Sequence, residues 1–491
     1  MVFSSVIFLF YFLPVVIIGY YLLHWFASRH VKHAFLTLVS YFFYGWANPL
    51  FFVLMFLSTL FDYFCGLWMT GQLKRGANWK APVPILEHGT QRHRYQRAAL
   101  VLSICSNLAL LGFFKYFNFG MDSWNALMQA LGVHSATYEN FLRITLPLGI
   151  SFYTFQSMSY SIDVYRGNAR AIRNWTDFSC YVSMFPQLVA GPIIRFQEVA
   201  DQIANRTHTV EKFARGVSFI FMGMAKKIML ADPCGYVADT CFNSGGVGVV
   251  DAWYGVIAYA FQIYFDFSAY SDMAIGLGLT MGFMFAKNFD SPYISQSITE
   301  FWRRWHLSLS NWLRDYLYIP LGGNRKGEGR TYVNLMMVML LGGLWHGASW
   351  NFVIWGAIHG GMLAFERIQG KDSPYRRLPR VLRIAITFVI VCIAWVFFRA
   401  DTLGSALGYL AAMFGLADTS PGAALVSAQI HTTYHMATFV LAGVFAWFGT
   451  QTWDFTRHLT PARAVIVTAL FVISVIVLVA TAFHPFIYFK F

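Results

Sequence analysis

The sequence predicts an all-α polytopic membrane protein, a bundle of about twelve transmembrane helices, on three observations. Charged residues make up 12% of the 491-residue chain and hydrophobic ones 57%, whereas soluble domains carry about 25% charge. Apolar runs of roughly 18 to 25 residues recur along it, long enough to cross a bilayer as helices. Lys and Arg gather in short loops between these runs, as cytoplasmic loops do. The same bias accounts for the net charge of +13 without invoking nucleic acid. Long continuous runs with weak alternation exclude a transmembrane barrel.

The N-terminal run, MVFSSVIFLFYFLPVVIIGYYLL, lacks the basic n-region and small-residue cleavage site of a signal peptide. It reads as a retained first span over 1–28, followed by Arg29 and Lys32. Residues 34–70 predict a hairpin of two short spans, broken at Gly45-Trp46-Ala47-Asn48-Pro49, because proline ends a helix. The loop 71–97 is basic, with Lys74, Arg75, Lys80, Arg92, Arg94 and Arg97. A span over 98–120 leads to a loop, 121–140, without Lys or Arg, and a span over 141–165 returns to Arg166, Arg170 and Arg173. MFPQLVAGPIIRF (184–196) is too short and proline-broken to span. It predicts a re-entrant segment, tolerated at membrane depth only when buried in protein or lining a cavity.

Spans over 213–231 and 252–282 flank a loop, 232–251, charged only by Asp232, Asp239 and Asp251. Cys234 and Cys241 share that loop and can pair in an oxidising compartment. The six cysteines show no CxxC or Cys/His metal spacing and read as free buried thiols. A long basic region runs to Arg330, followed by spans over 331–346 and 349–366, a basic loop from Arg367 to Arg383, and spans over 384–400, 432–450 and 463–484. Basic loops then lie in the cytoplasm and the N-terminus outside. No strong internal repeat, linker or low-complexity tract interrupts the chain, so 1–491 reads as a single domain.

Ionisable groups at membrane depth cost at least roughly 2.5–3.5 kcal/mol each and are functional candidates by default. In FQIYFDFSAYSDMAIGLG (261–278), Asp266 and Tyr270 are four apart, as are Ser268 and Asp272. Each pair shares a helix face and can hydrogen-bond. A buried polar network locking helices together and direct chemistry by Asp266 or Asp272 both fit. In EFWRRWHLSLSNWLRDYLYIPLGGN (300–324), Phe301, Trp305, Leu309, Trp312 and Tyr316 fall on one helix face. Arg303, Arg304, Ser308, Asn311, Arg314 and Asp315 fall on the other. This predicts an interfacial amphipathic helix stopped by Leu321-Gly322-Gly323. His306, on the shoulder of the apolar face, reads from periodicity alone as a packing or hydrogen-bonding residue.

LGGLWHGASWNFVIWGAIHG (341–360) sets His346 beside Trp345 in an apolar, glycine-rich stretch. The run before it is too short to cross fully, placing the imidazole within the membrane, in a protein cavity. Gly342, Gly343 and Gly347 let backbones approach closely. Ser349 is a candidate N-cap, with Asn351 in the following first turn. A buried imidazole stays neutral, and a neutral imidazole can accept a proton. His359 lies on another face and reads as a core histidine. The one HxxxH pair, His431 and His435, falls in a predicted loop, too little for a membrane di-iron centre. No metal is assigned, and no GxSxG elbow, Walker loop or GxGxxG is present.

Together the stretches MVFSS, YFFYGW (41–46), FPQLVAGPI (185–193), YFDFSAYSDMAIG (264–276), FWRRWHLSLSNWLRDYLYIPLGG (301–323), GGLWHGASWNFVIWG (342–356) and PFIYFKF (485–491) form an ordered set. In this set the chain resembles the membrane-bound O-acyltransferase superfamily, and within it the bacterial alginate O-acetyltransferase type of polysaccharide acetylation protein. The resemblance implies a many-helix fold around a funnel or tunnel in the bacterial cytoplasmic (inner) membrane, with no bound cofactor. His346 matches the essential histidine of the family and His306 its contributory one. The resemblance further implies transfer of an acyl group from a cytoplasmic donor, acetyl-CoA, toward extracytoplasmic sugar hydroxyls, with periplasmic acetyltransferase partners. On that reading His346 is a general base. Trp345 or Asn351 would stabilise the oxyanion. Arg303, Arg304 and Arg314 would attract either CoA phosphates or lipid headgroups.

Three rivals stay open at this point. D-alanyl transfer to teichoic acid from a carrier protein would share the histidines. A channel or transporter would use His346 as a proton relay, but the absent repeat argues against it. A non-catalytic scaffold of a polysaccharide secretion complex would need neither histidine.

Overall fold

A computed structural model describes the chain except residues 47, 75, 77, 139–140, 371–373, 482–484 and 488–491. Ala47 of the predicted hairpin turn, Arg75 of the basic loop and the last four residues of the PFIYFKF tail therefore lie outside the described residues. Those described contain helices and turns and no strand. They form two compact units, residues 3–209 with 278–285, and residues 210–277 with 286–491.

The first unit opens on a π-helical turn, Phe8–Phe12, running into α1 (Leu13–Phe26). Then come α2 (Arg29–Gly45), α3 (Pro49–Met69), α4 (Arg94–Ala130), α5 (Ile150–Arg166), α6 (Trp175–Ser183), α7 (Phe185–Leu188) and α8 (Phe196–Ala204). Proline at the first position of α3 needs no helical N–H partner, and Asn48 caps it by accepting from the Leu50 N–H at 3.0 Å. The apolar α3 buries Asp62, which is satisfied by the Ser103 hydroxyl at 2.6 Å and the Asn107 amide at 2.8 Å from α4. The 184–196 stretch contains the four-residue α7 and is otherwise irregular up to Phe196, which opens α8, with nearly every residue buried. The Phe185 N–H donates to Ser40 Oγ at 3.0 Å, so side chains replace part of a regular ladder.

The second unit runs α9 (Val210–Ala225) through a π-segment, Lys226–Ala231, into α10 (Asp232–Phe242). After α11 (Val249–Thr280) follow the short α12 (Ile298–Trp302) and α13 (Leu307–Leu313), then α14 (Glu328–His346) and α15 (Trp350–Gln369). The chain continues through α16 (Arg380–Arg399), α17 (Leu403–Met413), α18 (Ala423–Ile430), α19 (Thr433–Phe448), α20 (Thr452–Phe455) and α21 (Pro461–Ala480). Five helical stretches, Phe8–Phe26, α3, α4, α16 and α21, are long and apolar enough to cross a membrane, while α17 and α19 are shorter apolar helices.

Three expectations are corrected. The loop expected over 121–140 is helical to Ala130, and the loop expected over 232–251 is helical to Phe242. Missing Lys and Arg report on the side of the membrane, not on where a helix stops; no Gly or Pro stands between Met121 and Leu131, and Gly235 is carried inside α10. Cys234 and Cys241 therefore share α10, both buried and both free thiols. The amphipathic helix expected over 300–324 is split. Turns at 303–306 separate α12 from α13, and a π-turn, Arg314–Tyr318, follows.

The α14–α15 hairpin carries the site. At Gly343 a β-carbon would lie 2.2 Å from the Phe352 carbonyl oxygen, and at Gly356 2.4 Å from that of Met339. The two helices touch backbone to backbone, the close approach that small residues permit. Gly343→Ala is expected to cost about 1–3 kcal/mol of overpacking, read as a lowered thermal midpoint in detergent. An unchanged midpoint would mean that the helices separate freely.

Candidate active site

His346 is the last residue of α14 and is 6% exposed. Its ring lies 5.0 Å from Trp345, 5.2 Å from Trp355 and 5.3 Å from Phe398, centroid to centroid. Helices α14, α15 and α16 thus build an aromatic box around one imidazole. A second imidazole completes it, with the His306 ring 6.4 Å from His346 and 6.1 Å from Trp345.

His306 is fully buried and sits at the break between α12 and α13 with φ +44° and ψ +55°. The left-handed region costs a non-glycine residue of order 1–3 kcal/mol and persists only where the surroundings impose it. Here the irregular segment 288–290 imposes it. The Leu307 N–H donates to the Asn288 carbonyl at 2.9 Å, and the Asp290 N–H to the Arg304 carbonyl at 2.9 Å. Asn288 Oδ1 accepts from the Ser308 N–H at 3.2 Å and from the Ser308 hydroxyl at 2.9 Å. A backbone N–H can only donate, so the Asn288 oxygen faces these groups. His306 Nδ1, 3.1 Å from that same oxygen, must then carry its proton. In the neutral ring Nε2 keeps its lone pair, and it has no hydrogen-bond partner among the described residues.

Other expected site residues are distributed differently. Trp345 lies in the box. Asn351, buried in the first turn of α15, commits an N–H to the Ala400 carbonyl at 2.6 Å, tying α15 to the end of α16. Ser349 holds the N-cap position without a side-chain capping bond. Asp266 and Asp272 pair neither with Tyr270 nor with Ser268. Asp266 is 2.6 Å from Lys227 and accepts from the Ile487 N–H at 2.8 Å. Asp272 is 2.7 Å from Lys226 and accepts from the Thr452 hydroxyl at 2.7 Å. A lysine neutralises a buried carboxylate far better than a neighbouring hydroxyl, so the ion pairs win.

Arg304 pairs with Glu300 at 2.9 Å and Asp290 at 3.5 Å, and Arg314 with Asp315 at 2.7 Å. Asn311 is half-buried on α13. His359 is buried and accepts from the Trp302 indole at 3.3 Å. His431 ends α18 and His435 lies in the first turn of α19, not in one loop. Among the described residues no group of His, Cys, Asp and Glu is arranged to hold a metal.

Arg303 is exposed and lines a cavity of about 730 Å³ with Arg367, Arg376 and Arg383. The two carboxylates on its wall are engaged elsewhere. Glu366 accepts the Ile298 and Thr299 N–H groups at 2.6 and 2.9 Å, and Glu300 holds Arg304. No ion pair neutralises the four arginines among the described residues. Trp302, next to Arg303 in the chain, has its ring 5.7 Å from Trp355, whose ring is 5.2 Å from His346.

Sequence reasoning missed Asn288, Lys226 and Lys227. Both lysines were visible as charges inside an apolar run. Asn288 carried no signal, because periodicity says nothing about an irregular segment.

Comparison with known proteins identifies this arrangement. A family model described as the membrane-bound O-acyltransferase family matches residues 169–406. A probable alginate O-acetylase of Pseudomonas putida is 46% identical over the whole of both chains. The chain belongs to the membrane-bound O-acyltransferase family. It is an O-acyltransferase and a membrane protein. This acyltransferase is also 36% identical to a peptidoglycan O-acetyltransferase of Helicobacter pylori, over 85% of its own length and 80% of that protein. Similarity to a teichoic acid D-alanyltransferase of Streptococcus thermophilus is lower, 30% over 51% of this chain and 68% of the relative.

If Asn288 fixes the tautomer of His306 in this acyltransferase, Asn288→Ala should lower turnover by about 10–100-fold, the scale of losing an orienting partner. The Michaelis constant should change little. Transfer kinetics on folded protein test this, and wild-type turnover would show that Ser308 alone holds the ring.

Proposed function

We propose that the chain takes an acetyl group from acetyl-CoA on the cytoplasmic side and passes it across the membrane for O-acetylation of an extracytoplasmic polysaccharide such as alginate. His346 is the general base. The observation that carries this reading is the pair of imidazoles, His346 and His306, 6.4 Å apart in one buried aromatic box. In the step proposed, His346 takes the proton of an acceptor hydroxyl as its oxygen attacks the thioester carbonyl. The carbon–sulfur bond breaks and the thiolate leaves. His306 Nε2 bonds the reacting groups, and the Trp345 indole stabilises the oxyanion. General-base assistance is worth about 10²–10⁴-fold, and the apolar walls keep water from the activated acyl group.

The arginine-lined cavity supports a phosphate-rich donor, with Arg303, Arg367, Arg376 and Arg383 on the nucleotide phosphates. The donor arm then runs inward past Trp302 and Trp355. The alginate acceptor rests on the P. putida relative and on other probable alginate O-acetylases, including one of Azotobacter vinelandii at 44% identity. We further assign the chain about twelve spans, a re-entrant 184–196 segment and an interfacial α12–α13 region around a tunnel. It would be a single functional domain of the bacterial inner membrane that works with periplasmic acetyltransferase partners.

The test is transfer of labelled acetyl from acetyl-CoA by protein in proteoliposomes. Turnover that Arg376→Glu with Arg383→Glu impairs through the Michaelis constant supports the donor and its cavity. The D-alanyltransferase relative favours a second reading with a carrier-linked acyl group. Inertness toward acetyl-CoA with turnover from a carrier thioester would replace the first reading by the second.

A further inference from the structure

Away from the box, in the first unit, basic side chains crowd together without acidic partners. Lys32 Nζ lies 3.3 Å from His24 Nδ1, and the rings of His24 and His208 are 4.3 Å apart. The Tyr20 hydroxyl bridges His208 Nε2 at 2.8 Å to the Arg206 guanidinium at 2.8 Å. Arg206 is fixed over the Phe283 ring at 4.2 Å and donates to the Met281 carbonyl at 3.1 Å. Asp177 is held by His33 at 2.6 Å, His30 at 3.0 Å and Arg29 at 3.5 Å, and reaches Arg206 only through His33, whose Nε2 lies 2.6 Å from the guanidinium. Among the described residues no carboxylate pairs with His24, Lys32, Arg206 or His208.

Such an arrangement is electrostatically unfavourable on its own. Burial, followed by the nearby His24, Arg206 and Lys32, pushes His208 in the 205–209 loop down to about 4. An anion placed among these groups would reverse the penalty. Its source is indicated by the flank. The cluster closes the end of the apolar Phe8–Phe26 stretch, where Trp25 is 76% and Phe26 85% exposed. A Trp such as Trp25 sits at the interface, its ring between headgroups and acyl chains, and there anionic lipids give each basic residue about 1 kcal/mol.

We propose that His24, Lys32, Arg206 and His208 form a binding site for the phosphodiester of an anionic phospholipid, with Trp25 and Phe26 against its acyl chains. The site is separate from acyl transfer and does not rest on the donor or acceptor proposed above.

The test uses the full chain, delipidated in neutral detergent, with added phosphatidylglycerol, phosphatidylcholine or inorganic phosphate. Phosphatidylglycerol is expected to raise the thermal midpoint of wild type by about 2–4 °C near saturation, and phosphatidylcholine and phosphate to leave it unchanged. Lys32→Gln with His208→Gln should lose at least half of that shift, while Lys32→Arg keeps it. If the double variant folds poorly, Lys32→Gln alone, at a partly exposed position, carries the comparison. Native mass spectrometry should show one phosphatidylglycerol retained by wild type and Lys32→Arg and lost by the Gln variants. Equal shifts in wild type and Gln variants, or an equal shift from phosphatidylcholine or from phosphate, would overturn the proposal.

Discussion

His346→Ala, inserted and folded like wild type, is expected to lose about 10²–10⁴-fold in acetyl transfer, the range of a removed general base. The expectation follows from position. The imidazole closes α14 inside a wall of Trp345, Trp355 and Phe398, with the His306 ring 6.4 Å away. His306 Nε2 shares the box and keeps its own lone pair, so comparing the two alanine variants separates the roles of the imidazoles. Labelled acetyl transfer in proteoliposomes reads the loss directly, with His306→Ala as a companion of smaller effect. Truncation opens little more than one ring of volume at a helix end, so insertion should survive. Wild-type turnover by folded His346→Ala would make the histidine structural and end the proposed mechanism.

Lys227→Met is expected to destabilise the second unit by about 3–5 kcal/mol, the cost of leaving buried charge without its partner. Lys227 Nζ lies 2.6 Å from Asp266 and 2.6 Å from Asp232, with its side chain and that of Asp266 each 2% exposed. It also donates to the Pro485 carbonyl at 3.2 Å and lies 4.9 Å from the Phe486 ring, so the same ammonium anchors the C-terminal segment. The variant should show a lower thermal midpoint in detergent and reduced yield in the membrane. Adding Asp266→Asn should restore part of both, since the stranded carboxylate is then gone. A midpoint equal to wild type would mean that water or rearrangement satisfies both aspartates without Lys227.

Much of this was legible beforehand. Apolar runs located α1, α3, α16 and α21 closely, because a run that must lie in lipid admits few alternatives. The glycines of 342–347 indicated the tight α14–α15 crossing that Gly343 and Gly356 make. Helix ends were less legible, as α4 and α10 show, since charge bias records sidedness and not hydrogen bonding. Of the carboxylates singled out in 261–278, Asp266 is buried and Asp272 partly so. Their partners were misassigned, because Lys226 and Lys227 come from another helix and no periodicity links them.

His306 marks the boundary most sharply. A helical pattern over 300–324 put it on the shoulder of an amphipathic face, yet its backbone is left-handed and the helix is broken there. That conformation is imposed from outside, by Asn288 and the Arg304–Asp290 contact, and no local propensity encodes it. The sequence by itself determined that the chain is an all-helical membrane protein and that His306 and His346 were the imidazoles to watch, because composition and motif order are local properties. Only the tertiary structure decided that the two rings share one box, which tautomer His306 holds and where the free arginines gather. Those facts depend on hydrogen bonds and contacts between segments far apart in the chain.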